Sequence, residues 1–120
     1  MSTIGDGRAA ILAVFAAAGV RAGTSGRYAA PAVILEPADP WSTPLAMPRR
    51  EARWQLTAVA GVGDSDAALE QIAELVDAVD AALRGVPGCG LPTWAKPRDQ
   101  IVGDVAVPVC VGVLTQALIA

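Results

Sequence analysis

Arg49-Arg50-Glu51-Ala52-Arg53-Trp54-Gln55-Leu56-Thr57-Ala58-Val59-Ala60 changes character at nearly every step. Ala52, Trp54, Leu56, Ala58 and Ala60 fall on one side, and Glu51, Arg53, Gln55 and Thr57 on the other. That is the period of a strand with one packed face and one charged face. Gly61 and Gly63 end it. Upstream, Pro37, Pro40, Pro44 and Pro48 fall within twelve residues. Proline fixes φ and restricts the residue before it, so 37–48 is expected to be a stiff, extended arm without regular pairing. So long a connection in a small domain points to a binding arm.

Before the arm, Ala32-Val33-Ile34-Leu35-Glu36 is a continuous apolar run, expected as a short strand covered on both faces. The chain starts with a helix from about Asp6 to Ala18. Asp6 or Thr3 can cap it, and Ile11, Val14, Phe15 and Ala18 recur at helical spacing. Gly19 is placed to end this helix in the left-handed conformation, with Val20 folding back as the apolar contact. Residues 21–26 read as a loop. The run Ala9 to Val20 is too short to span a bilayer. It has the length of a signal-peptide core, but Asp6 weakens the basic leader, so a core-facing helix is the expectation.

After the alternating strand, Asp64 or Asp66 caps a second helix from Ala67 to about Arg84, with Leu69, Ile72, Val76, Val79 and Leu83 as its apolar stripe. Glu70, Glu74, Asp77 and Asp80 are left mostly outward. Acids near its start and Arg84 near its end suit the helix dipole. Gly85 to Gly90 breaks it, and 91–98 is irregular, with Leu91, Trp94 and Ala95 as anchors between two prolines. Asp99 to Val102 can pair across Gly103-Asp104 with a last strand in which Val105, Val107, Val109, Val111 and Val113 occupy alternate positions. Pro108 falls in the opposite phase, which places it at an edge or a bulge. The expected fold is a single α+β domain over residues 1–120. Its mixed or antiparallel sheet has about four strands, with two helices packed on one face.

At 120 residues the chain can bury roughly two-thirds of its unfolded surface. Hydrophobic residues make up 53 % and aromatics only 4 %, so the core must be built from Ala, Val, Leu and Ile. Burial between subunits would add to the modest area that such side chains hide. The net charge of −3 argues against a general nucleic-acid binder. The charge is unevenly placed, with six acids and only Arg84 between residues 61 and 90, against eight basic and six acidic residues elsewhere. An acidic helix and a basic strand can meet head to tail between copies, or both can be solvated faces.

Catalytic apparatus is hard to find in these residues. There is no histidine, no CxxC pair and no GxSxG elbow. Cys89 and Cys110 are expected to be idle thiols, with a disulfide as the alternative. Ser25 and Ser65 read as turn and cap residues, and Asp64 and Asp66 as helix caps. Gly61-Val62-Gly63 lacks the third glycine and the Lys-Ser/Thr ending of a phosphate loop, and acids follow at once. The strongest polar cluster is Arg49, Arg50 and Arg53. Arg50 and Arg53 face opposite ways on a strand, and arginine is enriched at interfaces, where it pairs bidentately with carboxylates. Trp41 on the arm is the best anchor for docking, Trp54 reads as core, and Trp94 as either.

Several of these segments together resemble a known family. The alanine-rich first helix, Pro31-Ala32-Val33-Ile34-Leu35-Glu36-Pro37, Asp39-Pro40-Trp41, Arg49-Arg50-Glu51-Ala52-Arg53-Trp54, and Asp64 leading into Ala67-Ala68-Leu69-Glu70 look like the tail terminator proteins of long-tailed, siphovirus-like phages. The likeness runs from about residue 5 to 117. It implies a structural virion protein, not an enzyme, with no cofactor and no metal. Members form a six-fold ring that caps the finished tail tube, ends its polymerisation and joins the tail to the head connector. The implied partners are copies of the chain, the tail tube protein and the head–tail connector protein, with no membrane. Genome DNA passes through the lumen without being read. The implied location is the head-proximal end of the virion tail, and the host cytoplasm during assembly. Trp41, Arg49, Arg50, Arg53 and Trp94 are the residues expected at subunit or tube contacts. A head–tail connector or tail-completion protein of the neck is the alternative of the same class. A small metal- or ligand-binding enzyme domain, motivated by the acids near Gly61 and Gly63, is the alternative of another class.

Overall fold

The computed structural model describes residues 3–23, 30–46, 48–61, 65–102 and 104–119. In chain order these form α1 (Ile4–Ala17), β1 (Ala22–Gly23), β2 (Ala32–Pro44), β3 (Arg49–Val59), α2 (Ser65–Leu83), β4 (Thr93–Trp94), β5 (Arg98–Val102) and β6 (Val105–Ile119). The class is α+β, with one mixed sheet of six strands in the order β1-β2-β3-β6-β4, and β5 also on β6. The strand count exceeds the expected four because β1 and β4 have two residues each and carry no periodicity a sequence could show. Only β1 and β2 run parallel; the other pairs are antiparallel.

The alternating stretch is the centre of the sheet. Ala52, Trp54, Leu56 and Ala58 of β3 and the following Ala60 are all buried. Val33 and Leu35 of β2 pair with Ala58 and Leu56, which puts them on the same face, as are Leu114 and Leu118 of β6. Both helices cover that face. Ile11 and Phe15 of α1 and Val79 and Leu83 of α2 share one core cluster with Trp54, Leu56 and Leu114. The other face holds a small cluster, Ile34, Val59 and Val109 with Val107 against it, to which no helix contributes. The valine row of β6 thus points away from the helices, and the helix-facing set is Cys110, Gly112, Leu114, Gln116 and Leu118. Thr57, expected on a charged face, is buried beside this cluster.

The proline-rich arm needs correction. Residues up to Pro44 belong to β2, and Pro37 and Ser42 to Pro44 pair with β3, as far as Pro44↔Arg50. Proline withholds an N–H but can still lie on an edge. β1 covers β2 only at Val33 and Ile34, so beyond them the outer side of β2 carries no strand among the described residues. The prolines do leave a mark. Between Pro37↔Trp54 and Ser42↔Ala52, four residues, Ala38 to Trp41, oppose Arg53 alone. The Ala30-Pro31 and Asp39-Pro40 peptides are cis.

α1 starts in a capping box, with Asp6 N–H donating to Thr3 Oγ1 at 3.0 Å and Thr3 N–H to Asp6 Oδ2 at 3.1 Å. It ends as expected at Gly19, with φ 75°, where Val20 N–H donates to Phe15 O at 2.9 Å and Gly19 N–H to Ala16 O at 3.2 Å. Ala18, expected in the apolar stripe, is exposed. α2 departs from its expected setting only in its first turns. Ala68, Ile72, Val79 and Leu83 are buried and Leu75 packs against the core, while Leu69 is 54 % exposed. The expected stripe holds at Ile72, Val76, Val79 and Leu83, with Val76 packed against the core, and fails at Leu69, whose place Ala68 takes. Small Ala68 lets the helix come down on Ala58 and Ala60. The expected cap residue Asp64 and the strand-ending Gly63 lie outside the described residues; Asp66 lies in the first turn.

The predicted hairpin of β5 and β6 is present, with its Gly103 outside the described residues. Pro108, expected at an edge or a bulge, instead pairs with Asp99 of β5 on one side while its carbonyl accepts from Ala60 N–H at 3.1 Å on the other. Residues 89–102 run back along the outer edge of β6 in interrupted pairs, from Cys89↔Gln116 through Thr93↔Val113 to Val102↔Val105. Leu91 and Ala95, expected as anchors there, are exposed. β6 runs through the whole arrangement, and its 15 residues match the 48 Å long axis of the molecule.

Candidate functional site

Four of the five expected contact residues gather on the β2–β3 hairpin. Arg49 and Arg50 are exposed beside the turn, where Arg49 N–H donates to Ala46 O at 2.9 Å and Leu45 N–H to Arg49 O at 3.1 Å. Strand alternation places Arg50 on the helix-bearing face and Arg49 and Arg53 on the other, as expected. Arg53 Nη1 donates to Asp39 O at 3.4 Å across the bulge. Trp41, at 44 % exposure, leans edge-on against buried Trp54, with ring centroids 5.9 Å apart at 75°. The bulge therefore holds an aromatic half in solvent and braces it from behind. Ser42 Oγ, the next side chain, is buried without a hydrogen-bond partner.

Trp94 lies apart, in β4 at the opposite edge of the sheet. Its indole Nε1 donates to Asp80 Oδ1 of α2 at 3.1 Å, and its ring covers Gly112 of β6. It ties helix to sheet and is half-buried, so the structure gives it an internal role. Asp80 is accordingly less outward than Glu70, Glu74 and Asp77, which are exposed.

One groove, of about 350 Å³, opens between the start of α2 and the β5–β6 hairpin; Leu69, Ile72, Pro97, Ala106 and Pro108 line it together with Arg98 and Asp99. Sequence reading missed it, because a leucine at helical spacing reads as core. Among the described residues no group of His, Cys, Asp or Glu could hold a metal ion. No described helix is long and apolar enough to cross a membrane. Ser25, Gly63 and Asp64, weighed as catalytic or phosphate-binding candidates, lie outside the described residues.

Both cysteines are free. Burial pushes the Cys89 thiol from 9.0 up to about 11 and raises that of Cys110. Cys110 Sγ also donates to Ala95 O at 3.1 Å. These are protonated, weakly nucleophilic thiols at neutral pH. Because Cys89 ionises at 9.0 unfolded and at about 11 folded, its contribution to stability is complete below 9.0 and is lost as pH rises to about 11. Thermal unfolding across that window is expected to fall more steeply for the native sequence than for Cys89→Ala/Cys110→Ala; equal slopes would refute the assignment.

Compared with models of known protein families and with curated protein sequences, the chain matches none.

Proposed function

We propose that this chain is a tail terminator of a long-tailed phage, a structural subunit that assembles with copies of itself into a ring of six. The ring caps the tail tube, stops its growth and presents its other side to the head connector, without catalysing a reaction. The observation that carries this reading is the one-sided sheet. Both helices lie on one face, and the other runs from the Ile34-Val59-Val109 cluster to half-exposed Val111, Val113, Gln55, Arg53 and Glu51 with no helix or strand above it among the described residues. A broad, flat face of mixed polarity is suited to another protein surface. The braced Trp41 and the arginines of the hairpin add the residue types that anchor interfaces.

Native mass spectrometry and negative-stain electron microscopy of the purified chain, alone and with tail tube protein, test the proposal. A closed six-membered ring is the expected result, together with capture of tube protein in a pull-down. Capture of connector protein alone would move the chain to the neck. A species that stays monomeric with tube protein present would overturn the reading.

A further inference from the structure

The hairpin turn and the α2 groove lie at opposite ends of the molecule. The turn adjoins Arg49↔Ile119, at the end of β6, and the groove adjoins Pro108 near its start. The eleven strand residues between them span roughly 36 Å. One molecule cannot bring the two together, but two molecules can.

The two ends are complementary. At the turn, Leu45 is exposed at 42 %, and Arg49 and Arg50 stand beside it with no acid between residues 45 and 50. The groove has an apolar floor of Leu69, Ile72, Pro97, Ala106 and Pro108, and its wall carries one base, Arg98, and one acid, Asp99. Asp66, one helical turn before Leu69, and Glu70 beside it are both exposed, as is Asp104 in the hairpin turn. Asp99 lines the wall; the opposing charges are Arg98 in the wall and Lys96 just before it. An apolar knob flanked by arginines matches an apolar groove flanked by carboxylates.

We propose that the β2–β3 turn of one copy seats in the α2 groove of the next, Leu45 against Leu69 and Ile72, with Arg49 and Arg50 reaching Asp66 and Glu70. The contact rests on the ring reading in taking a second copy as the occupant. Because it joins different ends of identical chains, it is heterologous, and repetition closes a ring when the rotation per step allows. It also explains why Leu69 is left in solvent by a helix whose other large apolar residues are buried or packed.

Charge exchange tests it. Arg49→Glu/Arg50→Glu and Asp66→Lys/Glu70→Lys are compared with the native chain by native mass spectrometry and sedimentation, with thermal unfolding as the check on folding. Each variant alone is expected to lose self-association by about a hundredfold or more. An equimolar mixture is expected to regain it, because in alternating order every turn meets a groove of opposite charge. Leu45→Asp, which leaves α2 untouched, is expected to show the same loss without rescue. If the native chain assembles and the variants do so equally well, the subunits meet elsewhere and the ring reading survives. Loss without recovery in the mixture also overturns the pairing. A native chain monomeric even with tube protein overturns both.

Discussion

Gln116→Leu is expected to lower the unfolding free energy by about 2–3 kcal/mol, read as a fall in Tm of roughly 10 °C. Among the described residues, Gln116 is a polar side chain almost wholly buried, at 2 % exposure. Its Oε1 accepts from Trp54 Nε1 at 3.1 Å, and its Nε2 donates to Gly7 O at 3.1 Å, joining β6 to β3 and α1. Leucine fills nearly the same space, so the loss is chiefly that of an indole N–H left buried without an acceptor. Trp54→Phe removes that donor, so adding it to Gln116→Leu should cost less than in the native background. Additive effects in the double-mutant cycle would show that the bond does not couple the two residues.

The same network reverses the sign of a common stabilising change. Glycine inside a helix is disfavoured against alanine by about 1 kcal/mol. At Gly7, however, a Cβ would stand 2.5 Å from Gln116 Oε1 and 2.9 Å from Cδ. The amide cannot yield without giving up its partners, so Gly7→Ala should destabilise the native chain and become favourable once Gln116 is alanine.

Sequence reading reached as far as local periodicity reaches. Ala52, Trp54 and Leu56 were legible as one packed face because their neighbours are charged or polar, and Gly19 as a helix end because the apolar spacing stops there. Three features were not legible. Pro37 and Pro44 read as unpaired because proline suits an edge strand as well as a loop, and only the sheet order decides between them. Leu69 read as core because its stripe shares four residues with the true one, and the choice lies with Ala58 and Ala60 on another element. Gln116 looked like any polar residue near a strand end, since its partners lie 62 and 109 positions away. Of the candidate site, the arginine cluster and Trp41 follow from composition and turn chemistry. The groove does not, because it exists only where the β5–β6 hairpin passes the first turns of α2.

Gly112→Val is expected to have the largest effect, lowering stability by roughly 3–5 kcal/mol, the sum of overpacking and a lost hydrogen bond to a carboxylate. Any Cβ at this position would lie 2.7 Å from Trp94 Cε3 and 2.8 Å from Cδ2, closer than real Cβ contacts come. β6 cannot retreat, because β3 holds it at Leu56↔Gly112 and β4 at Trp94↔Gly112. The indole must therefore swing out and release Asp80. Cys110, two residues along on the same face, is buried at 3 % exposure in a cluster against which Trp94 packs. Displacing the ring should open that thiol, so labelling at neutral pH should quicken in the folded variant well before global unfolding. Gly85→Ala serves as the control, since the nearest atom to a Cβ there is Ala82 O at 3.5 Å, an ordinary contact. A Gly112→Val protein with native Tm and a protected Cys110 would mean that Trp94 does not rest on the strand. The link between α2 and the outer edge of β6, on which the shape of the groove depends, would then need another origin.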